Sequence, residues 1–127
     1  MKIKLASIFV DDQEKALAFY TDVLGFVKKT DIAAGEFRWL TVVSPGGSDD
    51  IELVLEPNVH PAAQAYQKAI YGDGIPATVF MVEDLEQEFE RLKGLGVSFK
   101  VEPTKSEWGV DAVLDDTCGN FIGLHQD

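Results

Sequence analysis

An internal repeat constrains the fold of this chain more than any other feature. The stretch "FVDDQEKALAFYTDVLGF" at residues 9–26 returns 71 residues later, in weaker form, as "FMVEDLEQEFERLKGLGV" at residues 80–97. Within these stretches, Val10 and Val82 lie 72 residues apart. A repeat of this length is typical of one supersecondary unit used twice. The sequence therefore predicts a module that is built once and then built again.

Each copy predicts the order strand, helix, strand, strand, strand. An apolar run comes first, and a stripe of apolar residues at helical spacing follows it. Asp11 or Asp12 is expected to cap the first helix, Asp84 the second, and Gly25 ends the first by permitting a left-handed backbone. The strand-like segments are "IKLASIFV", "FVKKTDI", "FRWLTVVS" and "DIELVLE" in the first copy, and "ATVFMV", "VSFKVE", "VDAVLDD" and "NFIGLHQ" in the second. The turns "PGGSD" and "TCGN" precede the last strand of each copy.

The two copies divide the chain into three parts. Module 1 covers about residues 1–57 and module 2 about residues 75–127. The segment from about 58 to 74 has prolines near both ends and helical composition between them, which predicts a linker with a short helix from about Pro61 to Ile70. A chain of 127 residues has the size of one domain, so residues 1–127 are expected to form a single domain.

Composition excludes several classes of function. The net charge of −11 disfavours binding to nucleic acid or to an anionic membrane, because both need clustered Lys and Arg. The lone cysteine, Cys118, excludes an internal disulfide and a cluster of thiolates around a metal. The first apolar run ends at Asp11 and is too short for a signal peptide or a membrane span. These features predict a cytoplasmic protein.

Four stretches together resemble the vicinal oxygen chelate superfamily, which includes glyoxalase I, extradiol dioxygenases, and fosfomycin and bleomycin resistance proteins. They are "VDDQEKALAFYTDVLGF", "IELVLEP", "VEDLEQEFERLKGLGV" and "LDDTCGNFIGLHQ", and they run across nearly the whole chain. The resemblance implies the α+β fold of glyoxalase/bleomycin resistance/dihydroxybiphenyl dioxygenase-like proteins. In that fold, two βαβββ modules form cup-shaped sheets with helices on the outer face. It also implies a homodimer.

The resemblance implies a set of four positions that hold a divalent metal in the metal-dependent members. In this chain they fall on Leu5, Glu52, Ala77 and Gly123. Only Glu52 has a donor side chain, and one carboxylate does not hold a catalytic divalent ion without further protein ligands. No metal and no other cofactor is therefore expected. A relocated or degenerate metal site stays open as an alternative.

The candidate ligand-binding residues are Trp39, Glu52, Trp108 and Phe121. If Glu52 faces the cup, it is a candidate cation binder or catalytic general base; the alternative is a remnant that pairs with an arginine or with water. Trp39 shares a strand face with Thr41 and Val43, and Trp108 follows a polar loop-like stretch. Aromatic residues in a small β-cup are more often core than pocket, so both interpretations stay open.

The remaining candidates have simpler interpretations. His125 has the parity of Gly123 on its strand, and His60 lies in the linker, so each fits an exposed or locally bonded histidine better than a metal ligand. Cys118 lies in the turn "DDTCGN" with no legible base beside it. The pattern "G-x-S-x-G", a P-loop and a dinucleotide fingerprint are all missing from the sequence.

Three functions follow in order of support. The first is metal-independent binding of a small molecule, of the bleomycin-resistance type. The second is a glyoxalase-type lyase or isomerase, or a dioxygenase, with a relocated or degenerate metal site. The third is a regulatory or interaction module whose cup is vestigial. The expected partners are a small-molecule ligand and a second copy of the chain.

Overall fold

The computed structural model describes residues 1–46 and 51–127. The chain divides into two compact units, Met1–Gln64 and Ala65–Asp127. The predicted turn "PGGSD" and the first residue of "DIELVLE" fall largely on residues 47–50, which lie outside the described part.

The first unit has the predicted strand, helix, strand, strand, strand order. Its elements are β1 (Leu5–Val10), α1 (Gln13–Ala18) with a π-helical turn (Phe19–Val23), β2 (Val27–Ala34), β3 (Phe37–Val43) and β4 (Glu52–Pro57). The strands lie in the order β1-β4-β3-β2. β1 runs parallel to β4, and the other neighbours are antiparallel.

The second unit repeats this arrangement, which confirms the prediction of two βαβββ modules. Its elements are β5 (Pro76–Met81), α3 (Leu85–Gly94), β6 (Phe99–Ser106), β7 (Gly109–Asp115) and β8 (Phe121–Gln126). The strands lie in the order β5-β8-β7-β6, with β5 parallel to β8. The helix α2 (Pro61–Gly72) precedes β5, begins where the sequence predicts and ends two residues later.

Capping residues begin and end the helices as the sequence predicts. Of the two candidates for α1, Asp12 is the cap, and its side chain accepts a hydrogen bond from the backbone N–H of Lys15 at 3.0 Å. Asp84 accepts one from Gln87 N–H at 3.1 Å at the start of α3. Gly25 has a φ of 91°, the left-handed conformation that ends the first helical segment.

In each unit most of the buried apolar strand residues lie on one face of the sheet, and in the first unit Val43 and Val54 are buried on the opposite face as well. In the first unit the buried apolar residues include Ile8, Val10, Ala16, Phe19, Tyr20, Leu40, Val42 and Leu55. In the second they include Leu85, Phe89, Leu92, Ala112, Leu114, Ile122 and Leu124. Because strand side chains alternate between faces, the residues between these lie on the opposite face, and that face carries the family positions Glu52 and Gly123.

The side chain of Gln13 lies between β3 and β4. Its Nε2 donates hydrogen bonds to the carbonyl oxygens of Arg38 at 2.7 Å and Leu55 at 2.9 Å, and its Oε1 accepts one from Arg38 N–H at 3.1 Å. Within the described parts of β3 and β4, direct pairing is limited to Thr41 with Val54 and Val42 with Leu53. Gln13 therefore replaces the direct ladder beyond these pairs and satisfies the backbone groups that the separation would leave unpaired.

Across residues 1–46 and 51–127, no helix has the length and the apolar character that crossing a membrane requires.

Candidate functional site

Glu52 lies at the start of β4, on the sheet face that points away from α1. Its pairing partner on β1 is Leu5, so two of the family's four positions are direct neighbours. We call this surface the Glu52 face. The name stands for the part of this face around the carboxylate, which is formed by Leu5, Lys29, Thr30, Ile32, Trp39, Thr41 and Glu52.

Two threonines hold the Glu52 carboxylate in place. The Thr41 hydroxyl donates to Glu52 Oε1 at 2.8 Å, and the Thr30 hydroxyl donates to the same oxygen at 3.4 Å. Thr41 is fully buried, and its Oγ1 also accepts a hydrogen bond from Thr30 N–H at 3.2 Å. The direction of the carboxylate is therefore fixed by a row of polar groups that crosses β2, β3 and β4.

A β-bulge brings Lys29 to the same carboxylate. Lys28 pairs with Val42 and Thr30 pairs with Thr41, so Lys29 is an extra residue in β2. Bulges re-aim a side chain, and Lys29 Nζ lies 4.0 Å from Glu52 Oε2. This distance exceeds the roughly 2.7–2.9 Å of a charge-assisted hydrogen bond, so the pair is close without being bonded.

Apolar side chains border this polar row. Trp39 lies two residues before Thr41 on β3 and therefore on the same face, as the sequence predicts, and it pairs with Ile32 of β2. Trp39 is 42% exposed and Ile32 is 60% exposed. The Glu52 face thus combines one oriented carboxylate with exposed aromatic and aliphatic surface.

Arg38 points to the other face, again as alternation predicts. Its guanidinium donates to Asp31 Oδ1 at 2.9 Å and Oδ2 at 2.7 Å and also contacts Glu14 of α1. The hydrogen bond from Arg38 lowers the pKa of Asp31 from 3.8 to about 2. This ion pair ties the β2–β3 hairpin to the helix and leaves Arg38 away from Glu52.

The second unit differs from the first at the corresponding positions. The repeat offset aligns Ala77 with Leu5 and Gly123 with Glu52, but Gly123 pairs with Val79. The register shifts between Pro76 and Thr78, which makes Ala77 the extra residue of β5. A Cβ built on Gly123 would lie 3.0 Å from Val79 Cγ2. The strand register, which the sequence offset does not report, therefore sets Val79 against position 123, and Val79 would have to shift by a few tenths of an ångström to admit a side chain there.

Phe121 is partly covered within its own unit. Its ring stacks on the ring of Tyr71 from α2, with centroids 4.3 Å apart and planes 2° apart, and Lys100 Nζ lies 5.2 Å from its centroid. The Tyr71 hydroxyl donates to Asp115 Oδ2 at 2.6 Å, and this hydrogen bond raises the Tyr71 pKa. A ligand that stacks on the same face of Phe121 would have to displace Tyr71.

His125 is held by two aspartates on the same face as Gly123. Its Nδ1 lies 2.7 Å from Asp111 Oδ1, and its Nε2 lies 3.2 Å from Asp127 Oδ1. The hydrogen bond with Asp111 raises the pKa of His125. A Cβ on Gly109 would overlap the carbonyl oxygen of Gln126 and lie 3.1 Å from His125 Cε1, so the strands approach this closely only because the residue is glycine. His125 is locally bonded, as the sequence favours.

The other predicted residues lie apart from these clusters. Trp108, in the turn between β6 and β7, is 75% exposed. His60 is exposed and accepts a hydrogen bond from Ala62 N–H at 3.0 Å at the start of α2. Cys118 is fully buried, and its carbonyl oxygen accepts a hydrogen bond from Gln67 Nε2 at 3.3 Å.

The residues at the family's metal positions do not fit a divalent cation. Leu5 and Ala77 offer no donor, and Gly123 has no side chain and faces Val79. Among residues 1–46 and 51–127, no group of three or more His, Cys, Asp or Glu side chains is arranged to hold a metal ion. A catalytic metal site needs about three protein ligands. Glu52 is a single carboxylate, and it already accepts hydrogen bonds from two hydroxyl groups.

Sequence reasoning did not single out Thr30, Lys29 or Gln13. Thr30 and Lys29 depend on the bulge in β2, which no local pattern encodes. Gln13 had a usable signal, because Leu85 stands at its repeat position, and a polar residue in place of a core leucine asks for an explanation.

Comparison with known proteins adds relatives over the full length. Residues 2–124 match the family model of the Glyoxalase/Bleomycin resistance protein/Dioxygenase superfamily. The uncharacterized protein YurT of Bacillus subtilis (strain 168) is 56% identical over 126 residues, which cover 99% of each chain.

Two solved structures are similar as well. UcmS2 has a TM-score of 0.87 at 34% identity, over 100% of this chain and 98% of that one. TnmS3, an antibiotic binding protein from Streptomyces sp. CB03234, has a TM-score of 0.78 at 31% identity, over 99% of this chain and 95% of that one.

Proposed function

Because this chain belongs to the Glyoxalase/Bleomycin resistance protein/Dioxygenase superfamily, we propose that it binds a small organic molecule, in the manner of the bleomycin-resistance proteins, without a metal ion. The observation that carries this proposal is the donor set. Glu52 accepts hydrogen bonds from Thr41 and Thr30, and its pairing partner on β1 is Leu5, which has no donor atom in its side chain. The carboxylate is therefore held in place by hydroxyl groups of the protein itself. The similarity to the antibiotic binding protein TnmS3 supports a small molecule as the ligand.

The proposed binding residues are Trp39, Glu52, Trp108 and Phe121. Trp39 and Trp108 offer exposed aromatic surface, which suits a flat or apolar ligand. Phe121 contributes once Tyr71 moves from its ring. We further propose that the protein acts as a homodimer, as the family resemblance implies.

The proposal is tested with metal analysis and a ligand panel on the same preparation. Purified protein is expected to hold less than stoichiometric Zn, Ni, Mn or Fe. In a thermal-shift screen of microbial antibiotics that includes bleomycin, at least one compound is expected to raise the midpoint of unfolding, because a ligand that binds only the folded state stabilises the protein. EDTA is expected to leave that shift unchanged.

Two results would overturn the proposal. Stoichiometric metal that is lost in Glu52→Ala would favour a metal-dependent lyase, isomerase or dioxygenase instead. A panel in which no compound shifts the midpoint would favour the interaction module.

A further inference from the structure

We propose that Glu52 Oε2 receives the ammonium group of a cationic ligand with a flat apolar body, and that Lys29 is a built-in substitute for that ammonium. This inference rests on the proposed function and names the ligand class. Its first support is the division of labour between the two carboxylate oxygens. Both threonine hydroxyls donate to Oε1, whereas Oε2 points toward the Nζ of Lys29. One oxygen is therefore used to fix the carboxylate, and the other is directed at a cation.

The second support is the degree of burial. The Glu52 side chain is only 16% exposed. A carboxylate that has lost most of its water needs a compensating positive partner, because burial of an unpaired charge is costly. Lys29 Nζ lies 4.0 Å from Glu52 Oε2, which is close enough to offset the negative charge but too far for a hydrogen bond between the two groups. A ligand ammonium that reaches hydrogen-bond distance would complete the site.

The third support is the position of Lys29 itself. The bulge in β2 brings this lysine onto the Glu52 face, where strict alternation from Thr30 would place it on the opposite one. Its side chain has a flexible four-carbon stem and is 36% exposed. A lysine placed in this way keeps the carboxylate paired until the ligand arrives.

The fourth support is the surface beside the carboxylate. Leu5, Ile32 and Trp39 are each more than 40% exposed on the Glu52 face. An indole face attracts cations and stacks on flat groups. An anionic ligand is disfavoured here by Glu52 and by the net charge of −11. The face is therefore complementary to an aromatic amine.

The experiment compares tryptamine with tryptophol by isothermal titration calorimetry. The two probes share the indole ring and the two-carbon arm, and they differ in carrying an ammonium or a hydroxyl group at its end. Wild type is expected to bind tryptamine at least about 10-fold more tightly than tryptophol, the size of a hydrogen bond to a charged group. Glu52→Gln is expected to lose this preference, and Lys29→Met is expected to bind tryptamine more tightly than wild type.

The control variant is Glu36→Gln. Glu36 lies in the exposed turn between β2 and β3, so this change alters the net charge as Glu52→Gln does and leaves the Glu52 face intact. It is expected to bind tryptamine as wild type does. Far-UV circular dichroism and the midpoint of thermal unfolding show that each variant is folded before titration.

The inference is overturned if tryptophol binds as tightly as tryptamine, if Glu52→Gln keeps the affinity for tryptamine, if Lys29→Met binds it less tightly than wild type, or if tryptamine gives no binding heat at millimolar concentration. The proposed function is judged separately on the antibiotic panel. A panel compound that binds wild type and Glu52→Gln equally would leave the proposed function intact and remove this inference alone.

Discussion

Gln13 and Leu85 occupy corresponding positions of the two modules, each directly after the aspartate that caps its helix. Leu85 is fully buried, and β7 and β8 pair continuously over six residue pairs. Gln13 instead bonds to the backbones of both β3 and β4, and the described residues of those strands pair at two positions. Beside Trp39 the first sheet is therefore bridged by a side chain, whereas the corresponding strands of the second sheet are joined by their own backbone ladder.

The largest expected effect comes from making the first module like the second. Gln13→Leu would leave Arg38 N–H and the carbonyl oxygens of Arg38 and Leu55 without their partner. We expect it to lower the free energy of unfolding by about 2–3 kcal/mol, since each buried unpaired group is costly. Urea denaturation measures the change.

The matched control for Gln13→Leu is Gln87→Leu, in the first turn of α3 on an exposed position. It is expected to stay within about 0.5 kcal/mol of wild type. If Gln13→Leu were as stable as wild type, β3 and β4 would close into a continuous ladder without help, and Gln13 would not be what holds the separation.

A second comparison concerns Glu52 and its repeat partner. Gly123→Glu restores the family's donor type, but its Cβ meets Val79 at 3.0 Å. Overpacking of this kind is expected to lower the free energy of unfolding by about 2 kcal/mol, and Val79→Ala in the same chain is expected to recover part of the loss. Urea denaturation and metal analysis are the readouts.

Gly72→Glu is the control for that change, because a Cβ at Gly72 meets nothing within 4 Å. It is expected to change the free energy of unfolding by no more than about 0.5 kcal/mol. A Gly123→Glu variant that is fully stable and binds a divalent metal stoichiometrically would contradict both the packing argument and the metal-independent reading of the site.

A smaller effect separates the two modules by pH. The pKa of His125 is raised above 6.5 by Asp111, with Asp127 as its second acidic neighbour. Its contribution to stability is fully present below pH 6.5 and is lost as the pH rises through the raised value. Urea midpoints of wild type are therefore expected to fall above pH 6.5 more than those of Asp111→Asn. Equal pH profiles would mean that the pair does not stabilise the fold.

At acidic pH, the expected change in stability comes from Asp31 in the first module. The pKa of Asp31 is lowered from 3.8 to about 2 by Arg38, with Lys28 adding to the shift. Its contribution to stability is present above pH 3.8 and is lost as the pH falls toward 2. Between pH 3.8 and about 2, the urea midpoint of Asp31→Asn is expected to change less with pH than that of wild type. Equal changes in the two proteins over this range would show that Arg38 does not act through Asp31.

The smallest effect compares the two tryptophans, one in each module. Trp108 is 75% exposed and Trp39 is 42% exposed. In single-tryptophan variants made with Trp39→Phe or Trp108→Phe, acrylamide is expected to quench Trp108 with the steeper Stern–Volmer slope. A ligand held by the proposed binding residues is expected to reduce the quenching of both Trp39 and Trp108, and a Stern–Volmer slope of Trp108 that stays unchanged would remove Trp108 from the site.

Most of the fold could be predicted from the sequence, because it is written in local patterns that the repeat states twice. The element order, the caps Asp12 and Asp84, the left-handed Gly25 and the start of α2 at Pro61 all follow from residue type and spacing. These features need only a short window of sequence, and the second copy supports the interpretation of the first.

The site was less accessible, because it depends on strand register. The repeat offset matches Leu5 with Ala77 and Glu52 with Gly123, but in the structure Leu5 lies across from Glu52, whereas Val79 and not Ala77 lies across from Gly123. Bulges change which residues oppose each other without changing composition, and the one at Lys29 likewise has no local signature. The residue types at the site were legible from the sequence, and their partners were not.

Chemical labelling of the buried thiol of Cys118 can report how often the second unit opens locally. It is the sole cysteine of the chain, and it lies in a turn where the buried carboxylate of Asp116 accepts hydrogen bonds from the N–H groups of Cys118 at 2.7 Å and Asn120 at 3.0 Å. A thiol reagent can reach the sulfur only when this turn opens. The rate of labelling in native buffer, divided by the rate for an exposed thiol, therefore gives the free energy of a local opening in the second unit without any mutation.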